Sequence, residues 1–235
     1  MFAVFRLHKT IAVLTVALLT ALTVTLACAL PAAASAHAVV VAVDPGHGGY
    51  DGGVTGLRTH VRECDVNLSI ALYLAAYLRG EGYRVVLTRK ADRAPVEAGS
   101  LKRKDMDMRL TTIRQASADI AVSIHCNFYP SAYRRGIQVF YNKEADLPLA
   151  TTLQNHLNDT QNTPTLGRTF APLWGDYYIL NKAPCPAAIV ECGFLSNPED
   201  EALLADEGYR MTLAYQIFCA IDDGYAGQEK ANLSI

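Results

Sequence analysis

Short apolar runs alternate with amphipathic segments along most of the chain, and this alternation constrains the possible folds strongly. Each apolar run predicts a buried strand, and each segment with apolar residues three and four positions apart predicts a helix. The predicted strands are residues 39–43, 83–88, 119–124, 136–141 and 187–190, and the predicted helices are 64–79, 107–117, 146–159 and one or two between 197 and 222. Strands that alternate with helices are typical of an α/β fold with a mainly parallel sheet.

The first 36 residues have the pattern of a secretory signal. Residues 1–9 carry Arg6 and Lys9 and no acid, residues 11–30 are uncharged and almost wholly apolar, and the small residues Ala34-Ser35-Ala36 follow. The apolar run of 20 residues is also long enough to span a bilayer, so a cleaved signal and a retained membrane anchor both fit. We expect an exported protein, secreted or membrane-anchored, whose residues 37–235 form one domain.

Charge and cysteine content exclude some classes of protein. Without the predicted leader, the 21 basic residues fall to 19 against 23 acidic ones, a net charge of −4, so nothing indicates a nucleic-acid partner. Five cysteines follow the leader, and an odd count is a poor disulfide framework. We therefore expect most of these thiols to be small buried side chains.

Polar residues follow three of the predicted strands. His47 lies in the glycine-rich stretch "VDPGHGGYDGG" after the first strand, His125 follows strand 119–124, and Glu191 follows strand 187–190. A fourth residue, Glu63, lies at the start of the helix after the His47 loop. Since ligands bind beyond the carboxyl ends of the strands in such sheets, we expect these side chains at one sheet edge. The glycines are expected to let the chain turn off the strand and to leave space for a bulky ligand.

Two histidines and one carboxylate are the protein ligands of many hydrolytic zinc sites. A second carboxylate that does not bind the metal can act as general base and acid. His47 and His125 with one glutamate would be ligands, and the other glutamate the base; the residue types leave open which is which. Each residue also has an ordinary interpretation: a turn histidine, a buried hydrogen-bonded imidazole, or a glutamate favoured by the helix dipole. Glu191 after "AAIV" is harder to explain in this way, because a buried carboxylate needs a partner.

The segments "VDPGHGGYDGG", "ECDVNLSIALYL", "SIHCN" and "VECGFLSNPED" resemble, in this order, the signature blocks of the zinc-dependent N-acetylmuramoyl-L-alanine amidases of bacterial peptidoglycan. The resemblance implies an α/β fold, a three-layer sandwich around a six-stranded, mostly parallel sheet. It implies that His47, Glu63 and His125 bind Zn²⁺, that Glu191 is the catalytic carboxylate, and that Asn127 lies near the substrate. Residues 37–235 would then be a zinc amidase catalytic domain.

The implied reaction is hydrolysis of the amide bond between the lactyl group of N-acetylmuramic acid and L-alanine of the stem peptide, by zinc-activated water with a glutamate as general base and acid. The implied partner is peptidoglycan; the residues do not indicate whether an activator protein is needed. "SLKRKDMDMRL" and "GIQVFY" are most similar to the spore-cortex, germination-specific members, which implies a role in muramic-δ-lactam formation. Cys126 and Cys192 depart from the pattern, because a thiolate beside the site could compete for zinc.

Three alternatives remain at this point. The chain could be a zinc peptidase that cuts within the stem peptide, or a catalytically inactive module that binds peptidoglycan. A nucleotide-binding α/β protein has little support, because "DPGHGG" lacks both the spaced G-x-G-x-x-G and the phosphate-loop lysine.

Overall fold

Six strands form one mixed sheet in the computed structural model, which describes residues 39–92 and 102–232, with side chains to residue 224. The strands are β1 (Val40–Pro45), β2 (Arg84–Leu87), β3 (Ile120–Asn127), β4 (Gln138–Tyr141), β5 (Leu173–Trp174) and β6 (Ala187–Phe194). Their order is β2-β1-β3-β6-β4-β5, and the β4–β6 pair alone among the five is antiparallel. The six-stranded, mostly parallel sheet is therefore confirmed.

Helices cover both faces of this sheet. They are α1 (Glu63–Gly80), α2 (Lys102–Gln115), α3 (Leu147–Leu157), α4 (Thr163–Leu166), α5 (Tyr178–Lys182), α6 (Pro198–Ala205) and α7 (Glu207–Asn232). Helices α1, α3, α6 and α7 contribute to one apolar cluster, and α2 and α5 contribute to the other. Alternate residues of each central strand enter the two clusters, as the pleat of a strand requires. The result is the three-layer sandwich implied by the family resemblance.

The central strands are apolar because helices exclude water from both of their faces. Every residue of β1 and of β6 is buried. On β6, Ala187 and Ile189 pack toward α2 and α5, whereas Ala188 and Val190 pack toward α1 and its neighbours. This alternation decides which later residues of the strand reach the functional face.

Local signals at several helix ends agree with the structure. Helix α6 begins at Pro198, and the Asn197 side chain accepts hydrogen bonds from the backbone N–H groups of Glu199 at 3.1 Å and Asp200 at 3.0 Å. These bonds satisfy N–H groups that have no partner inside the helix. Helix α1 ends at Gly80, as predicted.

Several element bounds differ from the sequence prediction. Strands β3 and β6 continue through His125 and Glu191, which pair with each other in the ladder, so neither residue lies beyond its strand as predicted. Backbone pairing extends the strands past the apolar runs, because a ladder needs neighbouring backbone and not apolar side chains. Helix α2 begins earlier than predicted, at Lys102, and the short elements β5, α4 and α5 were not predicted.

The predicted leader, residues 1–36, lies outside the described residues. Among the residues that the structure describes, no helix is both long and apolar enough to cross a membrane.

Candidate metal centre and catalytic groove

A sharp turn after β1 brings His47 back over the sheet edge. His47 has a positive φ of 58°, a backbone conformation that residues other than glycine rarely adopt. Gly48 and Gly49 follow with φ values of 125° and 63°. The glycine-rich composition is thus needed for the turn itself.

Two glycines of this loop are needed for a second reason, because ligand side chains fill the space where a Cβ would lie. A Cβ on Gly46 would lie 2.2 Å from the His125 ring, and a Cβ on Gly53 would lie 2.5 Å from a Glu63 carboxylate oxygen. The expectation that the glycines leave space for a bulky ligand is wrong at these two positions. They admit neighbouring side chains of the same site.

His47, Glu63 and His125 converge as predicted. The Oε1 atom of Glu63 lies 3.2 Å from Nε2 of His47 and 3.0 Å from Nδ1 of His125. The two imidazole rings meet edge to face, with centroids 4.9 Å apart. One nitrogen or oxygen atom from each of the three side chains lies within 4.8 Å of the others, so the group could hold a metal ion.

The donor types and spacing fit zinc. Zinc bonds of about 2.0–2.2 Å to nitrogen and oxygen, arranged tetrahedrally, place neighbouring ligand atoms roughly 3.3 Å apart. The two distances from Glu63, 3.2 and 3.0 Å, are close to that value. Three protein donors also leave a fourth position free for a water molecule or a substrate atom, as in hydrolytic sites.

The Glu63 carboxylate is held in place by the surrounding backbone. Its Oε2 accepts a hydrogen bond from the N–H of Val54 at 3.0 Å, and Oε1 accepts from the N–H of Cys126 at 3.2 Å and from the Asn67 amide at 3.3 Å. Burial by itself would raise the pKa of Glu63, but the bonds and charges of His125 and His47 hold it well below its usual range. Glu63 is therefore ionised, as a metal ligand must be.

His47 has a second carboxylate neighbour that sequence reasoning missed. Its Nδ1 lies 2.8 Å from Oδ2 of Asp51, while its Nε2 faces Glu63. Burial would lower the pKa of His47, but the carboxylates of Glu63 and then Asp51 raise it. Nδ1 has no partner of hydrogen-bond geometry among the described residues, so Asp51 acts on the ring as a neighbouring charge. The signal in the sequence was an acid four residues after the histidine.

Glu191 lies beside this group but differs from Glu63 in its environment. It pairs with His125 across the β3–β6 ladder and is 8% exposed, and its Oε2 has no hydrogen-bond partner among the described residues. Burial, the largest effect, raises the pKa of Glu191 to about 7, with the Glu63 charge acting in the same direction. Within one site, the surroundings thus lower the pKa of Glu63 and raise the pKa of Glu191.

Two buried arginines, neither identified from the sequence, hold the His47 loop. Arg89, just after β2, donates to four carbonyls: Pro45 at 2.9 Å, Gly46 at 2.8 Å, Cys64 at 2.8 Å and Ala91 at 3.1 Å. The guanidinium therefore joins the end of β1 to the first turn of α1, which bears Glu63.

Arg109 of α2 makes an equivalent clamp from the other side and is 2% exposed. It donates to the carbonyls of Pro45 and His47 at 2.8 Å each, and to the carboxylates of Asp44 and Asp105 at 2.9 Å each. Paired carboxylates compensate the buried charge, and the directed N–H groups fix the backbone at His47.

Cys126 is one of the residues that line the cavity over the site, whereas Cys192 is not. Both belong to the apolar cluster on the α1 face, whereas the side chains of His125 and Glu191 lie on the opposite, α2 face of the same strands. Burial, the largest effect, raises the pKa of both thiols well above the usual value. The described cysteines are free, and the membership of these two in an apolar cluster favours a packing role over competition for zinc.

A groove of about 590 Å³ opens over the metal group on the α2 face. Its lining includes the site residues with Asn127, the charged residues Asp44, Lys102, Asp105 and Arg109, and aromatic and apolar residues around them: Met106, Cys126, Phe128, Tyr177, Tyr178, Ile179 and Ile189. Asn127 thus lies beside the site, as the resemblance implies, and its Oδ1 accepts a hydrogen bond from the N–H of Phe128 at 2.8 Å. The groove can accommodate a substrate with polar and apolar parts.

A second group of possible ligands, Cys64, Asp65 and Asp92, has a simpler explanation. Arg62 pairs with Asp65 at 2.7 Å and with Asp92 at 2.8 Å, so these carboxylates are already neutralised. They carry no metal site in our interpretation.

Comparison with known proteins decides the family of this chain. The family model for N-acetylmuramoyl-L-alanine amidase matches residues 41–223. The chain belongs to the N-acetylmuramoyl-L-alanine amidase family. All four residues discussed above as possible ligands or catalytic acid lie inside the matched region of this amidase.

Individual relatives agree with this assignment. A germination-specific N-acetylmuramoyl-L-alanine amidase of Bacillus subtilis is 32% identical over 190 residues, which cover 77% of this chain and 78% of the relative. The structure of the CwlD amidase from Clostridioides difficile, in complex with the GerS lipoprotein, is similar with a TM-score of 0.71 and 30% identity, covering 80% of this chain and 98% of that one. The structure of the amidase AmiC2 of Nostoc punctiforme is similar with a TM-score of 0.67 and 30% identity, and the match covers 78% of this chain and 94% of that one.

Proposed function

We propose that this amidase hydrolyses its amide bond with Zn²⁺ held by His47, Glu63 and His125, and with Glu191 as the catalytic carboxylate. The family reaction cleaves the bond between the lactyl group of N-acetylmuramic acid and L-alanine of the stem peptide. The observation that carries the proposal is the convergence of three donor atoms beside a buried carboxylate oxygen without a hydrogen-bond partner among the described residues.

Bound zinc would supply Lewis-acid polarisation of the scissile carbonyl and would lower the pKa of water at the site. Glu191 then accepts a proton from the water molecule that attacks the carbonyl carbon. The same carboxyl group delivers that proton to the departing alanine nitrogen as the C–N bond breaks, which yields a lactyl carboxylate and a free amine. A buried carboxyl group suits both transfers, because no donor among the described residues occupies its Oε2 atom.

The remaining residues act by orientation. The backbone N–H groups of Val54 and Cys126 fix Glu63, and the Asp51 carboxylate places a negative charge 2.8 Å from Nδ1 of His47. Arg89 and Arg109 hold the loop that carries His47. Such preorganisation keeps the ligand atoms at their spacing before metal binds.

Metal analysis beside digestion of purified sacculi tests the assignment. We expect Glu191→Gln to retain zinc and to lose activity by about 10²- to 10⁴-fold, the usual contribution of a general acid–base group. Glu63→Gln should lose both zinc and activity, because one ligand is removed. Glu144→Gln, an exposed glutamate outside the site, is the matched control and should retain both.

Other results would reassign the roles. Loss of zinc in Glu191→Gln would make Glu191 a ligand, and Glu63 would need another role. Cleavage that exposes new amino groups other than that of L-alanine would indicate a peptidase that acts within the stem peptide. If the protein binds peptidoglycan but does not hydrolyse it in the presence of zinc, it is the inactive binding module.

We further propose that the enzyme acts outside the cytoplasm, in spore-cortex maturation, as a step toward muramic-δ-lactam. The similarity to a germination-specific amidase and the leader-like pattern of residues 1–36 support this role. Cortex from a deletion strain should lack δ-lactam, and unchanged cortex composition would overturn the role. N-terminal sequencing of the exported protein distinguishes cleavage after Ala36 from a retained anchor.

Whether a partner protein activates the enzyme can be tested in the same assays. The structure of the Clostridioides difficile relative contains the GerS lipoprotein, and we propose that a comparable partner acts here. The purified chain should then bind zinc more weakly by itself than in a complex with a partner taken from a cell extract. Full zinc loading and activity of the isolated chain would exclude a required activator.

A further inference from the structure

A second groove, of about 440 Å³, continues from the metal site along the same face of the sheet. Asn127 lines both grooves. Strand β4 is the next strand beyond β6, and its residues Gln138 and Phe140 pair with Glu191 and Ile189. Opposite residues of an antiparallel pair point to the same face, so the second groove extends the first one across β4.

Three arginines line this second groove, and two of them form no ion pair with the described residues. Arg135 lies 3.2 Å from the carboxylate of Asp200 and is therefore a structural residue. Arg134 and Arg168 are exposed, and neither forms an ion pair with a carboxylate of the described residues. Two uncompensated cations in one groove are notable on a chain whose net charge is −2.

Both free guanidinium groups lie over aromatic rings. The Cζ atom of Arg134 lies 4.3 Å from the Tyr129 ring centroid, and that of Arg168 lies 5.0 Å from the Phe170 ring centroid. Stacking orients a guanidinium and leaves its N–H edge free for a planar anion such as a carboxylate. The exposed side chains of Tyr133 and Leu173 add apolar surface to the groove.

We propose that Arg134 and Arg168 form a subsite that binds the carboxylate-bearing peptide limb of the substrate. This inference rests on the proposed function. With its lactyl carboxyl group in the amide bond, the glycan limb has hydroxyl and acetamido groups but no charge, whereas a stem peptide carries free carboxylates. A groove that continues from the site and carries two guanidinium groups without a carboxylate partner among the described residues therefore favours the peptide limb.

Hydrolysis of two soluble substrates tests the subsite. One is a muropeptide with free peptide carboxylates, and the other is the same muropeptide with those carboxylates amidated. For Arg134→Gln/Arg168→Gln we expect KM for the acidic substrate to rise roughly five- to tenfold, as removal of two exposed charge pairs allows, with kcat unchanged. KM for the amidated substrate should stay at its wild-type value. The effect on the acidic substrate should shrink as salt is added.

Matched variants separate charge from general damage. Arg114→Gln removes an exposed arginine outside both grooves and should behave as wild type. Arg134→Lys/Arg168→Lys keeps the charge and should recover at least half of the lost affinity. The inference is overturned if the double glutamine variant matches Arg114→Gln, or if it loses the acidic and the amidated substrates equally.

A binding measurement keeps this inference separate from the catalytic proposal. Calorimetry with a free acidic stem peptide and the metal-free protein requires no turnover. Wild type should bind this peptide roughly five- to tenfold more tightly than the double glutamine variant. If sacculi are not hydrolysed, the proposed function fails, yet the peptide measurement still decides the subsite. Equal binding by the two proteins would overturn the subsite even in an active amidase.

Discussion

The site depends on two glycines, which have no Cβ atom, as much as on the proposed ligands. At Gly46 the absence of a Cβ admits the His125 ring, and at Gly53 it admits the Glu63 carboxylate. Each of these glycines lies near His47 in sequence but makes room for a ligand that comes from elsewhere in the chain. The glycine-rich loop is therefore part of the proposed metal-binding geometry.

We expect Gly46→Ala to weaken zinc binding by about ten- to a hundredfold, the range seen when groups that orient ligands are changed. The new Cβ would lie 2.2 Å from the His125 ring, so the ring or the loop must shift. Competition with a colorimetric chelator measures the zinc affinity.

Gly80→Ala is the control for this substitution. No heavy atom lies within 4 Å of a Cβ at Gly80, so its zinc affinity should equal that of wild type. Unchanged affinity in Gly46→Ala would show that the loop adapts to the added methyl group.

Asp44 connects the elements beneath the site. It lies on β1, accepts hydrogen bonds from Thr88 after β2 and from Ser123 of β3, and pairs with Arg109 of α2. Burial by itself would raise the pKa of Asp44, but Arg109 and these hydrogen bonds lower it below the usual value. The polar network thus joins three strands and one helix at the edge where His47 begins its turn.

We expect Arg109→Met to lower the free energy of unfolding by roughly 3–5 kcal/mol, because it leaves Asp44 buried without its charge partner. Urea denaturation measures this change. Arg114→Met alters an exposed arginine of the same helix and should change stability by no more than about 0.5 kcal/mol. Equal effects of the two substitutions would mean that the buried pair contributes little.

The Asp44 network also predicts a dependence of stability on pH. An aspartate in the unfolded chain has a pKa of about 3.9, and the folded pKa of Asp44 lies below its usual value. The carboxylate therefore stabilises the fold fully above about pH 4, and this contribution is lost as pH falls through the folded pKa.

Comparison of wild type with Asp44→Asn between pH 7 and pH 2 measures this contribution. We expect the variant to be less stable at pH 7, and the difference between the two proteins to shrink at the acid end. A difference that is constant over the whole range would show that ionisation of Asp44 does not contribute.

The three proposed ligands come from separate parts of the chain, so they form one group only in the folded protein. His47 and Glu63 lie near each other in sequence, but His125 comes from a strand that follows β2 and α2. Because the unfolded chain has no such group, metal binding favours the folded state.

We therefore expect added Zn²⁺ to raise Tm. At a free concentration about 100 times the Kd, binding stabilises by roughly 2.7 kcal/mol, which corresponds to about 5–10 °C for a domain of this size. Scanning calorimetry of the metal-free protein with and without zinc measures the shift. Glu191→Gln should retain the shift and Glu63→Gln should lose it; an equal shift in both would place the zinc elsewhere.

Much of the architecture and the proposed site could be predicted from the chain. Apolar runs predicted five of the six strands, because burial on both faces leaves a continuous apolar signal. The order of strands and helices then placed His47, His125 and Glu191 at one edge, since parallel strands end together. The signature blocks added the separate roles of Glu63 and Glu191, which residue types alone left open.

The remaining features depend on contacts between distant residues. Arg89 and Arg109 carry no signal that distinguishes them from other arginines, and their role follows from burial against carbonyls of the His47 loop. The pleat of their strands places Cys126 and Cys192 in the apolar cluster of the α1 face. The second groove exists because β4 pairs with β6 and not with β3, the strand that precedes it in sequence. Local periodicity encodes the elements and their ends, whereas sheet order and burial come from long-range packing, which no short stretch of sequence specifies.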